Sequence, residues 1–139
     1  MPRELLVLRH GKAFDAPGGD DFRRPLKDGG KRKAQRVGVW LLEQGLVPDC
    51  LMTSPAPRAR VTAEKCCKAM GLGTQDLIVL PDLYLAGVEQ LLVRLRELPE
   101  SRQRVLLVGH NPGLSALLGQ LSGDPLVTSL KTASLARLG

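Results

Sequence analysis

The sequence predicts an α/β fold, with helices on both faces of a mostly parallel central sheet. Short apolar runs typical of buried strands alternate along the chain with longer segments of helical periodicity. Polar residues and glycines follow several of these runs directly. The resulting order, β-α-β-α-β-α-β with a further helix and strand, predicts a three-layer α/β/α sandwich. Its ligand is expected beyond the carboxyl ends of the strands.

The first strand is predicted over residues 4–9, a short apolar run that a glycine-containing turn follows. A polar loop rich in Gly, Asp and Pro occupies residues 11–30. The helix after this loop is about fifteen residues long and ends at Gly45. The predicted inner face of this helix consists of Ala34, Val37, Trp40, Leu41 and Gln44.

The middle of the chain continues the alternation of strands and helices. Residues 50–53 form the second predicted strand. The proline-containing segment 54–57 then opens a helix over residues 58–70, which ends at Gly71. Residues 77–80 form the third predicted strand.

The last third of the chain supplies two more helices and two more strands. A helix over residues 88–98, with leucines at helical spacing, precedes a strand over residues 104–108. A further helix runs from Pro112 to Leu121. The segment Gly123-Asp124-Pro125 predicts a turn toward a final strand near residues 133–138.

The length and composition fit one globular domain covering residues 1–139. No apolar stretch approaches the roughly 20 residues needed to cross a bilayer, and the chain runs from Met1 almost directly into a strand. We therefore expect a cytoplasmic protein without a membrane partner. Three cysteines, Cys50, Cys66 and Cys67, form no CxxC motif, which predicts reduced structural thiols and no metal site.

The net charge of +6 is concentrated near the start of the chain. Residues 1–36 contain ten of the 20 Lys and Arg but five of the 14 Asp and Glu. Such a surplus fits an anion-binding pocket, a solvated helix face or a nucleic-acid binder. Because the segment shows no recognisable nucleic-acid-binding fold, we do not expect a nucleic-acid partner.

The candidate catalytic and binding residues lie at three predicted strand ends. Arg9 and His10 end the first strand, Ser54 and Arg58 follow the second, and His110 and Asn111 follow the fourth. In a parallel sheet these ends share one edge, where the start of the helix after Ser54 adds free backbone N–H groups. This combination predicts a phosphate site.

The two histidines of the chain both occupy such strand ends, next to a glycine. A single histidine is more often a structural residue. Two histidines at matching strand ends, together with the strand-end Arg9, favour a catalytic role. A neutral imidazole is a nucleophile toward phosphorus, and guanidinium groups match the oxygens of a transferring phosphoryl group. Covalent catalysis through one histidine is the resulting hypothesis.

These residues resemble the histidine phosphatase superfamily, and within it the small SixA-like phosphohistidine phosphatases. The resemblance covers nearly the whole chain and rests on five segments in order. They are LRHGKA (8–13), RPL (24–26) with a glycine shortly after, SP (54–55) with RA (58–59), LPDL (80–83) and VGHNP (108–112).

The resemblance implies a phosphoglycerate mutase-like fold and a role for each matching residue. His10 would take the phosphoryl group covalently, while Arg9, Arg58 and His110 would bind and stabilise it. Asn111 would lie against the phosphate and Arg24 at its outer side. For Arg24, an electrostatic rim shared with the neighbouring basic residues is the alternative reading. No metal or organic cofactor belongs to this chemistry.

One departure from the family concerns proton donation. Asn111 stands where related acid phosphatases have an aspartate that protonates the leaving oxygen. A phosphoramidate leaves as an imidazole or amine that solvent can protonate, so its hydrolysis tolerates the missing acid. The remaining carboxyl groups that could serve as donors are Asp15, Asp20, Asp21, Asp82 and Glu89.

The chain also has Val61 where the family often has glutamine, and it stops at Gly139 soon after the last predicted strand. The second feature leaves a sheet edge that a partner or second copy could cover. Together these observations predict a cofactor-independent phosphatase acting on phosphohistidine in a protein partner. The alternatives are a phosphatase of a small phosphorylated metabolite and a non-catalytic phosphate-binding or nucleic-acid-binding module.

Overall fold

A computed structural model of the chain describes residues 1–123 and 130–139. Within these residues the strands are β1 (Glu4–Arg9), β2 (Cys50–Thr53), β3 (Leu77–Val79), β4 (Arg104–Gly109) and β5 (Leu135–Leu138). The α-helices are α1 (Asp28–Glu43), α2 (Pro57–Ala69), α3 (Val88–Arg96) and α4 (Gly113–Ser122). Each element that the sequence predicts is present within a few residues of its expected bounds.

The strands form one sheet in the order β3-β2-β4-β1-β5. The first four strands run parallel, and β5 pairs antiparallel with β1. Arg9 pairs with Gly109 in the register of β1 and β4, and Thr53 pairs with Val108 in that of β2 and β4. The carboxyl ends of these three central strands therefore meet at one edge, as predicted for a mostly parallel sheet.

Both faces of the sheet are covered, which confirms the three-layer α/β/α fold class. Along β1, Leu6 and Leu8 pack with α1 and α2, whereas Leu5 and Val7 pack with α3 and α4. Successive side chains of a strand point to opposite faces, so a strand buried on both sides needs a continuous apolar run. This explains the unbroken apolar runs Leu5–Leu8 in β1 and Val105–Val108 in β4.

The inner face of α1 differs from the prediction. Trp40 is 46% exposed and Gln44 is also exposed, so their placement on the inner face was wrong. The buried residues of α1 are Gly30, Ala34, Gly38 and Leu41. A Cβ at Gly38 would lie 2.4 Å from the carbonyl oxygen of Cys66 in α2, so the two helices approach too closely for a large side chain. Backbone proximity, not apolar size, defines this contact.

The end of the chain also departs from the prediction. The final strand begins at Leu135, two residues after the expected start near residue 133, because Ala133 adopts a positive φ of 56°. Its N–H donates instead to the carbonyl oxygens of Arg9 and His10, at 3.0 and 3.1 Å. Gly123 ends α4 in the left-handed conformation, while Asp124 and Pro125 of the predicted turn lie outside the described residues.

The three cysteines are free and buried, as expected for structural thiols. No helix in the described ranges is both long and apolar enough to span a membrane. In the same part of the chain, no group of three or more His, Cys, Asp and Glu side chains is arranged to hold a metal ion.

Candidate active site

A pocket of about 390 Å³ lies at the carboxyl edge of the sheet. All six predicted site residues line it: Arg9, His10, Arg24, Arg58, His110 and Asn111. Of the five candidate proton donors, only Asp21 lines this pocket. A second cavity of about 380 Å³, at the opposite edge near Asp49 and Arg102, contains neither histidine.

The pairing of β1 with β4 brings the two histidines together. Each follows the last residue of its strand, and the backbone N–H of His10 donates to the carbonyl oxygen of Gly109 at 3.1 Å. The two imidazole rings lie with their centroids 5.2 Å apart and their planes tilted by 56°. Both rings are buried, with 6% of His10 and 4% of His110 exposed.

A backbone carbonyl fixes the tautomer of His10. Nδ1 lies 2.7 Å from the carbonyl oxygen of Gly11, which can only accept a hydrogen bond. Nδ1 therefore carries the proton, and Nε2 keeps its lone pair. Burial is the main reason that the pKa of His10 is lowered to about 4, and the Arg58 and Arg9 cations contribute to the same shift. The ring is neutral at pH 7, as a nucleophile must be.

Thr62 links His10 to the helix that carries Arg58. Its hydroxyl accepts a hydrogen bond from the backbone N–H of Gly11 at 3.0 Å and donates to the carbonyl oxygen of Arg58 at 2.7 Å. Thr62 is fully buried. The sequence reasoning missed this residue, although its position one helical turn after Arg58 places it on the same face of α2.

A serine orients the second histidine. Nε2 of His110 lies 2.7 Å from Oγ of Ser54, and this Oγ also accepts a hydrogen bond from the backbone N–H of Ala56. The serine hydroxyl can donate its proton to Nε2, and in that tautomer the ring proton of His110 lies on Nδ1. Burial lowers the pKa of His110 to about 3, and the Arg58 cation contributes to the same shift.

Arg58 is held by Asp21, a loop residue far from it in sequence. Although only 2% of Arg58 is exposed, its two terminal nitrogens donate to the backbone oxygen and Oδ2 of Asp21, at 2.8 and 3.0 Å. The hydroxyl of Tyr84 donates to the same Oδ2. These hydrogen bonds, that of Tyr84 foremost, lower the pKa of Asp21 to about 2. Asp21 is thus ionised at neutral pH and holds no proton to donate.

The other two arginines reach the pocket from different elements. Nη1 of Arg9 donates to the carbonyl oxygen of Leu130 at 3.0 Å. Arg24 donates to the carbonyl oxygen of Phe14 at 3.0 Å and to the Asp21 carboxylate at 3.3 Å. Three guanidinium groups therefore face one carboxylate, which leaves the pocket positively charged.

Asn111 makes hydrogen bonds that hold the polypeptide around the pocket. Its amide nitrogen donates to the carbonyl oxygen of Leu130 at 2.7 Å, and its side-chain oxygen accepts from the N–H and hydroxyl of Ser115 at 3.1 and 2.8 Å. These contacts connect the start of α4 with the segment before β5. Phosphate contact by Asn111 stays a prediction.

Three buried donors in the pocket have no hydrogen-bond partner among the described residues: Nε of Arg9, Nε of Arg58 and Nδ1 of His110. Buried polar atoms in folded proteins are nearly always hydrogen-bonded. A cluster of unpaired donors beside three guanidinium groups suits a bound oxyanion, whose oxygens would accept from all three.

Comparison with known proteins decides the family. The model of the histidine phosphatase superfamily (branch 1) matches residues 5–85. The chain belongs to the histidine phosphatase superfamily. An uncharacterized protein of Picosynechococcus is 35% identical over 115 residues, which cover 80% of this chain and 68% of the relative. One from Mycobacterium tuberculosis is 30% identical over 119 residues, covering 84% and 72%.

Solved structures of SixA are similar to this histidine phosphatase over almost its full length. SixA from Agrobacterium tumefaciens has a TM-score of 0.88 and 31% identity, covering 99% of this chain and 92% of that one. The protein histidine phosphatase SixA complexed with tungstate has a TM-score of 0.88 and 25% identity, covering 98% and 87%. These matches confirm the SixA-like resemblance, and with the family match they support phosphatase activity.

The fold alone is shared with enzymes whose names give other substrates. The alpha-ribazole phosphatase of Shigella flexneri has a TM-score of 0.74 and 20% identity, covering 98% of this chain and 90% of that one. The architecture of this histidine phosphatase is therefore compatible with more than one substrate class.

Proposed function

We propose that this chain is a cofactor-independent phosphohistidine phosphatase that works through a covalent phosphoryl group on His10. The observation that carries the proposal is the set of unpaired buried donors of Arg9, Arg58 and His110 around a neutral His10. A tetrahedral oxyanion would satisfy these donors while its phosphorus faces Nε2 of His10.

In the first proposed step, Nε2 of His10 attacks the phosphorus of the substrate phosphohistidine. The new N–P bond forms as the substrate N–P bond breaks, and its electron pair returns to the leaving imidazole. Solvent has protonated the other nitrogen of that imidazole beforehand, so the ring departs neutral. The carbonyl of Gly11 supports the positive charge that His10 gains, because it already accepts the Nδ1 proton.

In the second step, water attacks the phosphoryl group on His10. The bond between Nε2 and phosphorus breaks, His10 recovers its lone pair, and dihydrogen phosphate leaves with both protons of the water. Arg9, Arg58 and His110 stabilise the oxygens in both steps, since a phosphoryl transition state needs mainly positioning and charge stabilisation.

The preference for a nitrogen leaving group rests on the acids near the pocket. Asn111 has no acidic proton, and the pKa of Asp21, lowered to about 2, leaves Asp21 without one at pH 7. An alkoxide from a phosphate ester needs a general acid, whereas a neutral imidazole does not. A phosphoramidate therefore suits this site better than a phosphomonoester.

A protein substrate is favoured by the exposed mouth of the pocket. Lys12, Lys27 and Leu85 line the pocket and are exposed to solvent. Sites for small molecules commonly bury most of the ligand surface. A phosphohistidine on a protein surface can enter such an open mouth without a covering segment.

The test is phosphate release from a histidine-phosphorylated protein, compared with a phosphoserine peptide and free phosphohistidine. We expect wild-type enzyme to release phosphate from phosphohistidine and to form an acid-labile phosphoenzyme, and His10→Ala to do neither. Trp40→Ala, which changes an exposed residue of α1, is the matched control and should retain full activity. Faster turnover of the phosphoserine peptide would favour an ester substrate, and equal rates for wild type and His10→Ala would reject the role of His10.

A further inference from the structure

Aromatic side chains gather at the mouth of the pocket. The chain has four aromatic residues, Phe14, Phe22, Trp40 and Tyr84. The ring of Phe22 meets that of Tyr84 edge to face at 5.0 Å, directly beside the pocket residue Asp21. Phe14 follows the pocket residue Ala13, and its carbonyl oxygen accepts a hydrogen bond from Arg24. Three of the four aromatic residues therefore stand around the site.

Several of these apolar groups are exposed to solvent. Phe14 is 51% exposed, Phe22 is 36% exposed, and Leu85, which lines the pocket, is 52% exposed. Leu85 also has a positive φ of 50°, which is costly for a residue with a branched side chain. Exposed aromatic and aliphatic side chains around a polar pocket are typical of a surface that binds a protein.

Basic side chains flank the same mouth. Lys12, Lys27 and Lys33 line a cleft of about 220 Å³ that shares Lys12 and Lys27 with the pocket. All three lysines are exposed, and none forms an ion pair with a described residue. The ammonium group of Lys27 lies 5.3 Å from the centre of the Phe14 ring, so a charged and an apolar group meet at this point of the mouth.

We propose that this surface docks the protein substrate through acidic and apolar residues that flank its phosphohistidine. The docking rim consists of Phe14, Phe22, Leu85, Lys12, Lys27 and Lys33. The inference rests on the proposed function for the identity of the phosphoryl group. The lysines attract carboxylates and set orientation, and the apolar side chains anchor the contact.

The charge pattern selects the occupant. Three of the four loop carboxylates are engaged by other cations: Asp20 by Arg23, Asp21 by Arg58 and Arg24, and Asp28 by Lys31. The three lysines of the rim therefore outnumber the remaining loop carboxylate, Asp15. An acidic surface would find complementary partners here, whereas a lysine-rich one would be repelled.

The experiment compares two short phosphohistidine peptides, one with glutamate and leucine around the phosphohistidine and one with lysine in place of the glutamates. Binding is measured by fluorescence anisotropy on His10→Ala protein, which holds the peptides without turnover. Turnover of the peptides and of free phosphohistidine is measured on the protein with His10 intact. We expect at least tenfold tighter binding of the acidic peptide, and a preference that weakens as salt is raised.

The docking variant is Phe14→Ala with Lys33→Glu, because neither side chain lines the phosphate pocket. Its matched control is Leu42→Ala with Lys68→Glu, which alters a 50% exposed leucine and an exposed lysine away from the rim. The docking variant should lose about tenfold in kcat/KM on the acidic peptide and keep its rate on free phosphohistidine. The control should match the wild type on both.

The docking rim and the proposed phosphatase activity are tested by different measurements. Equal binding of the two peptides, or an equal loss on free phosphohistidine, would overturn the docking rim whatever the turnover. A single-stranded oligonucleotide that displaces the acidic peptide at equal concentration would overturn it in favour of nucleic acid. A preserved binding preference without turnover by the protein with His10 intact would reject the phosphatase assignment and leave the docking rim standing.

Discussion

The hydroxyl of Thr62 and the backbone N–H of Gly11 form a hydrogen bond of 3.0 Å in the interior of the protein, between α2 and the turn after β1. The carbonyl of the same Gly11 holds the Nδ1 proton of His10. Helix α2 therefore holds the backbone of Gly11 in place, and the carbonyl of Gly11 in turn orients the imidazole of His10. This makes Thr62 a positioning residue for the proposed nucleophile.

Replacing Thr62 with valine should lower both stability and activity. Valine has nearly the same shape but cannot accept the Gly11 hydrogen bond, so a buried N–H loses its partner. We expect the free energy of unfolding to fall by about 1–3 kcal/mol, measured in urea, and kcat to fall more than KM rises. Thr62→Ser keeps the hydroxyl and should recover most of the activity. Similar activities for the valine and serine variants would contradict the role of this hydrogen bond.

The two histidines should make stability depend on pH between 7 and 5. Their folded-state pKa values, about 4 and about 3, lie below the ordinary value of 6.5. As pH falls through 6.5 the unfolded chain binds protons that the folded chain does not, so the free energy of unfolding decreases. Each histidine contributes up to about 2 kcal/mol to the loss by pH 5. Urea unfolding at pH 7 and at pH 5 measures this decrease in the free energy of unfolding.

A variant without either imidazole gives the control for this pH dependence. His10→Gln with His110→Gln removes both histidines of the chain, and no other side chain has an ordinary pKa near 6.5. The difference between pH 7 and pH 5 should shrink by most of its size in this variant. An unchanged pH dependence would show that the histidines are not held neutral by burial.

Much of this site was predictable because it depends on strand ends. The placement of Arg9, His10 and His110 follows from the rule that parallel strands finish at a common edge. Their residue types, with Arg58 after the second strand, then indicate phosphate chemistry, and the family resemblance implies a role for each of them. These predictions needed no knowledge of any loop conformation.

The contacts that the sequence did not reveal come from loops and from backbone proximity. Asp21 reaches Arg58 across 37 positions through a loop without periodicity, so no pattern pairs them. Trp40 was placed on the inner face because an amphipathic pattern assigns large apolar side chains to the core. In the structure α1 and α2 meet closely at Gly38, and Trp40 is exposed. Such contacts depend on a three-dimensional path that local spacing does not encode.

Removing the Asp21 carboxylate should make the enzyme depend more on bound oxyanion. In Asp21→Ala the buried Arg58 loses its anionic partner, which costs about 1–2 kcal/mol because the half-exposed carboxylate is partly screened by water. Tungstate or phosphate can then neutralise Arg58, so either anion should raise Tm more in the variant than in the wild type. Asp15→Ala, in the same loop, is the control. Equal anion-induced shifts in all three proteins would count against this coupling.

Two glycines of α1 should respond to alanine in opposite directions. At Gly38 an added Cβ would lie 2.4 Å from the carbonyl oxygen of Cys66 and 2.7 Å from the Cβ of Ala69, so α1 must move away from α2. Gly38→Ala should lower the free energy of unfolding by about 2–3 kcal/mol. At Gly29 the nearest atom, Nη2 of Arg32, is 3.8 Å away, and alanine should raise stability by up to about 1 kcal/mol through the unfolded state. Urea unfolding of both variants decides it: equal losses would mean that helix contact is not what Gly38 provides.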